Sequence, residues 1–145
     1  MIKANELRLG NLLSLCGVVY SVNEIQNQLQ YIELKRKSDE NEKLHEYEEC
    51  DFDCEDLTPV EITENELLCC GFILTGDFGD QRHYEHPSLR NFSVVFDHEE
   101  IALHHVYGDS YVCVFYDDKI FQYMHQLQNL FFSLVGEELV FSTEP

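Results

Sequence analysis

The stretch Ile120-Phe-Gln-Tyr-Met-His-Gln-Leu-Gln-Asn-Leu-Phe-Phe-Ser-Leu-Val-Gly136 decides the fold. At about 100° per residue it separates into two faces. Ile120, Tyr123, Met124, Leu127, Leu130, Phe131, Leu134 and Val135 share one arc, and Gln122, His125, Gln126, Asn129 and Ser133 lie opposite. An apolar stripe that wide needs a sheet or a second helix beneath it. The spacing therefore predicts a long amphipathic helix that closes the core, with Gly136 as its cap.

Working outward, the preceding residues read as three strands, Phe92 to Phe96, Ile101 to Tyr107 and Tyr111 to Tyr116. Turns at Asp97-His98-Glu99-Glu100 and Gly108-Asp109-Ser110 separate them, and strands so close in sequence pair as an antiparallel meander. Upstream, Asp77 to Pro87 reads as a polar loop. Thr63 to Glu66 has the form of a capping box. It opens a short helix over 64–70 that ends at Gly71. Glu138 to Ser142 is expected to return as a last strand.

The N-terminal part reads as short β segments broken at Gly17 and at Asn27-Gln28, the pattern of a small meander or an SH3-like barrel. Between Asp39 and Asp56 stand ten acids and a single Lys43. The expected class is α+β in three parts: an antiparallel β unit over 1–38, an acidic surface segment over 39–56, and an α+β unit over 57–145 in which one long helix packs the sheet.

A chain of 145 residues suits one domain or two very small ones. Apolar residues make up 44%, with ten Phe and eight Tyr, enough for a true core. Nine Lys plus Arg stand against 28 Asp plus Glu, a net charge of −19. Such a surface repels phosphate backbones and anionic lipid heads and attracts a basic partner. Direct binding to nucleic acid or membrane is therefore not expected. The start has an acid by its sixth residue and lacks the apolar core of a signal peptide. No apolar run approaches the roughly 20 residues of a membrane span. A cytoplasmic setting with six reduced cysteines follows as the expectation.

Motifs for chemistry are sparse. Cys50 and Cys54, with His45 upstream, lack the second pair of ligands that structural zinc requires. Asp51-x-Asp53-x-Glu55 resembles the opening of a calcium loop, yet Asp56 and Ile62 occupy the places where glycine and glutamate belong. His83 and His86, beside Asp80 and Glu85, are the remaining pair from which a metal site could be made. His104 and His105 face opposite sides of a strand. Neither the nucleophile elbow nor a phosphate-binding glycine loop occurs. No catalytic residue, no metal ligand and no cofactor is assigned, and the reading leans away from an enzyme. The polar strip His125, Gln126, Gln128 and Asn129 is the place where side chains either bind a partner or satisfy backbone groups of the same fold.

Tyr123 to Leu139 resembles a group of uncharacterised proteins from gut Bacteroidales, their phages and mobile elements, which end in a "YVHQLQNLYFALTGEEL"-like signature. Lys3 to Asn11 is similar to their opening, and Leu57 to Leu68 with Cys70-Gly71-Phe72 to a middle block. The resemblance implies a bacterial or phage setting and carries no activity. The leading expectation is a small non-enzymatic binding or accessory protein with a protein partner, one whose surface is basic. Two alternatives stay open: a nucleic-acid mimic that inhibits a basic DNA-handling protein, and a metal-dependent module using the His83/His86 loop.

Overall fold

A computed structural model describes residues 6–26, 31–36, 47–51, 54–98, 100–108, 110–115 and 121–142. Among the described residues the chain is α+β, mainly antiparallel sheet with two helices. It divides into two units, residues 1–61 with 123–129, and residues 62–122 with 130–145.

The first unit holds a five-stranded sheet in the order β4-β3-β2-β1-β5. Strands β1 (Leu12–Leu15) and β2 (Val18–Gln26) are joined by Cys16 and Gly17, both at positive φ. Positive φ at both central residues is the type I′ pattern, one of the two tight turns whose twist matches the flanking strands. Strand β3 (Tyr31–Arg36) pairs β2, and β4 (Tyr47–Asp51) pairs β3. Strand β5 (Leu57–Pro59) returns to the opposite side of β1. Alternation places Leu13, Tyr20, Val22 and Leu57 in one buried cluster with Leu7, and Leu15, Ile25, Cys50 and Cys54 pack against it.

The acidic segment is thus not all surface extension. Its 47–51 portion forms β4, and β5 belongs to the N-terminal sheet rather than to the start of the C-terminal unit. Pairing with β3 supplies the backbone hydrogen bonds that overcome the poor strand propensity of the acids. Asn27-Gln28, His45 and residues 52–53 lie outside the described residues.

The second unit opens with α1 (Glu64–Cys69). Thr63 Oγ1 accepts from the Glu66 N–H at 3.4 Å. The reciprocal arm of the box is missing, since Glu66 Oε2 is buried with no hydrogen-bond partner among the described residues. At the far end Gly71 has φ +83°. Phe72 N–H then reaches the Leu67 carbonyl and Gly71 N–H the Leu68 carbonyl, both at 3.0 Å. That paired closure is the Schellman motif.

A five-stranded meander follows in sequence order: β6 (Ile73–Asp77), β7 (Gln81–Glu85), β8 (Phe92–Asp97), β9 (Glu100–Tyr107) and β10 (Ser110–Phe115). The expected loop over 77–87 is therefore mostly strand. Its polar look hides two deeply buried neighbours, His83 and Tyr84. Strand β8 is buried on both faces through Ser93, Val94 and Val95. The expected last strand over 138–142 is not a strand, although Leu139 is buried and Ser142 N–H bonds the Cys69 carbonyl at 2.8 Å.

Helix α2 spans Met124–Val135, after a bridge that pairs Glu61 with Tyr123. Residues through Asn129 belong to the first unit and those from Leu130 to the second. Met124, Leu127 and Phe131 are buried as the stripe requires. His125, expected on the opposite face, is buried with them, so the division fails there, and Gln128 is buried as well. Ile120 lies outside the described residues.

Candidate functional site

In the first unit the polar strip of α2 meets the loop that enters β1. Gln128 Oε1 accepts from the Leu12 N–H at 2.8 Å, and its Nε2 donates to the Gly10 carbonyl at 3.1 Å. Asn129 Oδ1 accepts from Asn11 Nδ2 at 3.1 Å, and its Nδ2 donates to the Glu6 carbonyl at 2.7 Å. Asn11, itself fully buried, accepts at Oδ1 from the Arg8 N–H at 2.7 Å. Gln126 Oε1 turns back to accept from the Tyr123 N–H at 2.9 Å, as the third residue of a helix does when it caps the start. On one side the loop pairs with β2, Gly10 N–H to the Val22 carbonyl and Val22 N–H to the Asn11 carbonyl, both at 2.8 Å. The three amide side chains of Asn11, Gln128 and Asn129 satisfy backbone groups that this pairing leaves over, as buried polar groups demand.

His125 sits beside this network with its ring parallel to Tyr123, centroids 5.9 Å apart. Its Nδ1 has no hydrogen-bond partner among the described residues. Burial pushes the imidazole's pKa below its ordinary value, against a weaker pull from the Glu6 carboxylate.

The second unit gathers the other histidines differently. His83 lies on β7 with Phe78 edge-on at 5.3 Å and His104 of β9 at 5.9 Å. His86 stands beyond the end of β7 between Phe72 at 5.2 Å and Phe131 at 4.9 Å, both edge-on. Its Nδ1 accepts from the Ser88 N–H at 3.1 Å. Burial lowers the pKa of all three, a hydrogen bond to the Cys70 backbone opposing it at His86 and the Glu85 charge opposing it at His83. His83 and His86 therefore do not share a site; His83 and His104 are the pair brought together. His105 packs on Phe92 at 5.0 Å, away from His104, as strand alternation requires. No group of three or more potential metal ligands occurs among the described residues.

One constellation has no motif to announce it. Glu64, first residue of α1, takes Arg82 through both guanidinium nitrogens, Nη1 at 2.8 Å and Nη2 at 2.5 Å. The Tyr84 hydroxyl donates to the same carboxylate at 2.5 Å. Burial first, then this hydrogen bond, pushes the Tyr84 phenol up to about 12. The two-residue spacing of Arg82 and Tyr84 on a strand, with an acid opening a helix, is the only sequence signal for it. Nearby, a groove of about 320 Å³ is lined by Ile73, Thr75, Glu85, His86, Leu89 and Arg90 among others.

No family model, no curated protein and no solved structure matches the chain. No helix among the described residues is long and apolar enough to cross a membrane.

Proposed function

We propose that this chain is a small, non-enzymatic, cytoplasmic binding protein whose partner presents a basic surface, in the bacterial or phage setting that its resemblance implies. The observation that carries the reading is a row of like charge across the N-terminal sheet. Glu24 of β2 stands opposite Glu33 of β3, and Glu33 opposite Glu49 of β4. Like charges directly opposite one another destabilise a sheet. With strands about 4.8 Å apart, the three backbone register positions span about 10 Å. A basic partner relieves that repulsion, and the net charge of −19 steers it there.

Capture from host lysate at low and raised salt, with Glu24→Lys/Glu49→Lys as control, tests this. Basic proteins retained at low salt, released at high salt and lost with the double variant support it. Partners without a basic surface, or retained by the double variant, overturn it. In the sharper version the carboxylate row stands in for a nucleic-acid backbone, and DNA then competes with the chain for the captured partner. The metal-dependent alternative has no comparable support, because His83 and His86 each have separate ring partners.

The same reading takes the N-terminal sheet as an SH3-like barrel. Return of β5 to β1 gives the strand order from which such a barrel closes, by pairing of β5 with β4. It also takes α2 as the helix that packs the C-terminal sheet, supported by Phe131 against His86.

A further inference from the structure

The groove of about 320 Å³ in the second unit is built on the connection from β7 to β8. That connection is pinned at two places. Leu89 N–H returns to the His86 carbonyl at 2.9 Å, and the Leu89 side chain is buried. Asn91, at φ +64°, offers its carbonyl to the Val106 N–H of β9 at 2.7 Å. Arg90, carried between these two anchors, is exposed and lines the groove. Ile73 of β6 and Glu85 of β7 line it too, as register partners on one face of the sheet.

Two charges in this groove have nothing to answer them. In a chain with 28 acids and nine Lys plus Arg, a guanidinium ordinarily finds a carboxylate, as Arg82 finds Glu64. The Arg90 guanidinium has no ion pair or hydrogen bond among the described residues, and neither has the half-buried Glu85 carboxylate. His86 adds no charge. Its Nδ1 accepts from the Ser88 N–H, which leaves the imidazole neutral. The lining therefore presents one cation and one anion that do not pair with each other, beside the 57% exposed side chain of Ile73.

We infer that this groove binds a free apolar α-amino acid, its carboxylate on Arg90, its ammonium on Glu85 and its side chain against Ile73. A planar guanidinium takes a carboxylate through two parallel hydrogen bonds. Charge then selects the zwitterion. A simple anion meets the Glu85 carboxylate and the field of a chain at −19. A simple cation meets Arg90 and leaves that charge unanswered. A ligand with both charges on one carbon answers both residues and has no net charge to be repelled. Size agrees, since the volume stands at the small end of the roughly 300–1,000 Å³ of ligand pockets. The inference goes beyond the basic-partner reading. Its residues belong to the second unit and Glu24 and Glu49 to the first, so its failure leaves that reading untouched.

Titration of the isotope-labelled full chain with L-leucine, L-methionine and L-phenylalanine, followed by amide chemical shifts, tests it. The expected result is saturable shifts centred on Ile73, Glu85 and Arg90 with at least one of the three. The N-acetyl form of that amino acid lacks the ammonium and its amide form lacks the carboxylate. Each blocked form should bind at least about tenfold more weakly. Arg90→Gln and Glu85→Gln should weaken the unblocked amino acid likewise, with unmoved resonances elsewhere showing that each variant folds. If a variant fails to fold, the blocked forms decide the matter on the wild-type protein. No saturation by any of the three up to about 10 mM overturns the inference. So do shifts that saturate away from these residues, equal binding of a blocked form, or a folded Arg90→Gln protein that binds as the wild type does.

Discussion

The two halves of α2 look alike on a helical wheel and behave oppositely. In the first, from Met124 to Asn129, polar His125 and Gln128 are as buried as Met124 and Leu127. In the second, from Leu130 to Val135, apolar Phe132 and Leu134 stand 37% and 47% exposed. Burial along this helix follows hydrogen-bond partners as much as hydropathy. Gln128 goes inside because two loop backbone groups need it, and Leu134 stays out because the stripe there is wider than what covers it.

The comparison is broken most severely by Leu127→Ala. The side chain is fully buried, and its removal should cost about 2–5 kcal/mol in urea denaturation. Gln128→Ala should come next, at about 2–4 kcal/mol, because it strands a buried donor and acceptor together. Equality of Gln128→Ala with an ordinary surface change would place the strip outside the fold's support. Tyr84→Phe removes one charge-assisted hydrogen bond to Glu64, worth about 1.5–3 kcal/mol. In the intact protein, ultraviolet titration should find one phenol near 12, and Glu64→Gln should bring it down. Leu134→Ser should change stability by no more than about 0.5 kcal/mol.

A pH series sharpens the contrast. His83, His86, His104 and His125 all have lowered pKa values in the fold. Below about pH 6.5 the unfolded chain therefore binds more protons than the folded one. Their contribution is complete above that pH and drains away as pH falls toward the lowered values. Exposed His98, raised by Asp97 and Asp80, has the opposite sign and is screened by solvent. Denaturation midpoints should thus be lower at pH 5.5 than at pH 7.5. A midpoint unchanged or higher at pH 5.5 would contradict the assignment.

Much of this was legible in the residues themselves. Alternation and turn residues marked β1, β2, β8 and β9, because such strands bury apolar side chains and turn at Gly17 and His98 with positive φ. The turn at Gly108, also at positive φ, marked β10, whose described side chains are exposed. Thr63 and Gly71 marked both ends of α1. Strand β7 escaped because Gln81-Arg-His-Tyr-Glu85 shows no apolar alternation, its burial resting on an imidazole and a phenol. Strand β4 was hidden among acids that pairing alone makes extended. The site was less visible still. Gln128 meets partners 116 and 118 residues away, and no local pattern encodes such a meeting.

Amide exchange at Leu12 is the most direct measurement of the central claim, that the polar strip of α2 is spent on holding the loop entering β1. Its N–H should exchange slowly in the wild type and, in Gln128→Ala, at least about tenfold faster, the equivalent of roughly 1.4 kcal/mol of lost protection. An N–H that exchanges equally fast in both proteins would leave Gln128 and Asn129 available to a partner and contradict the account.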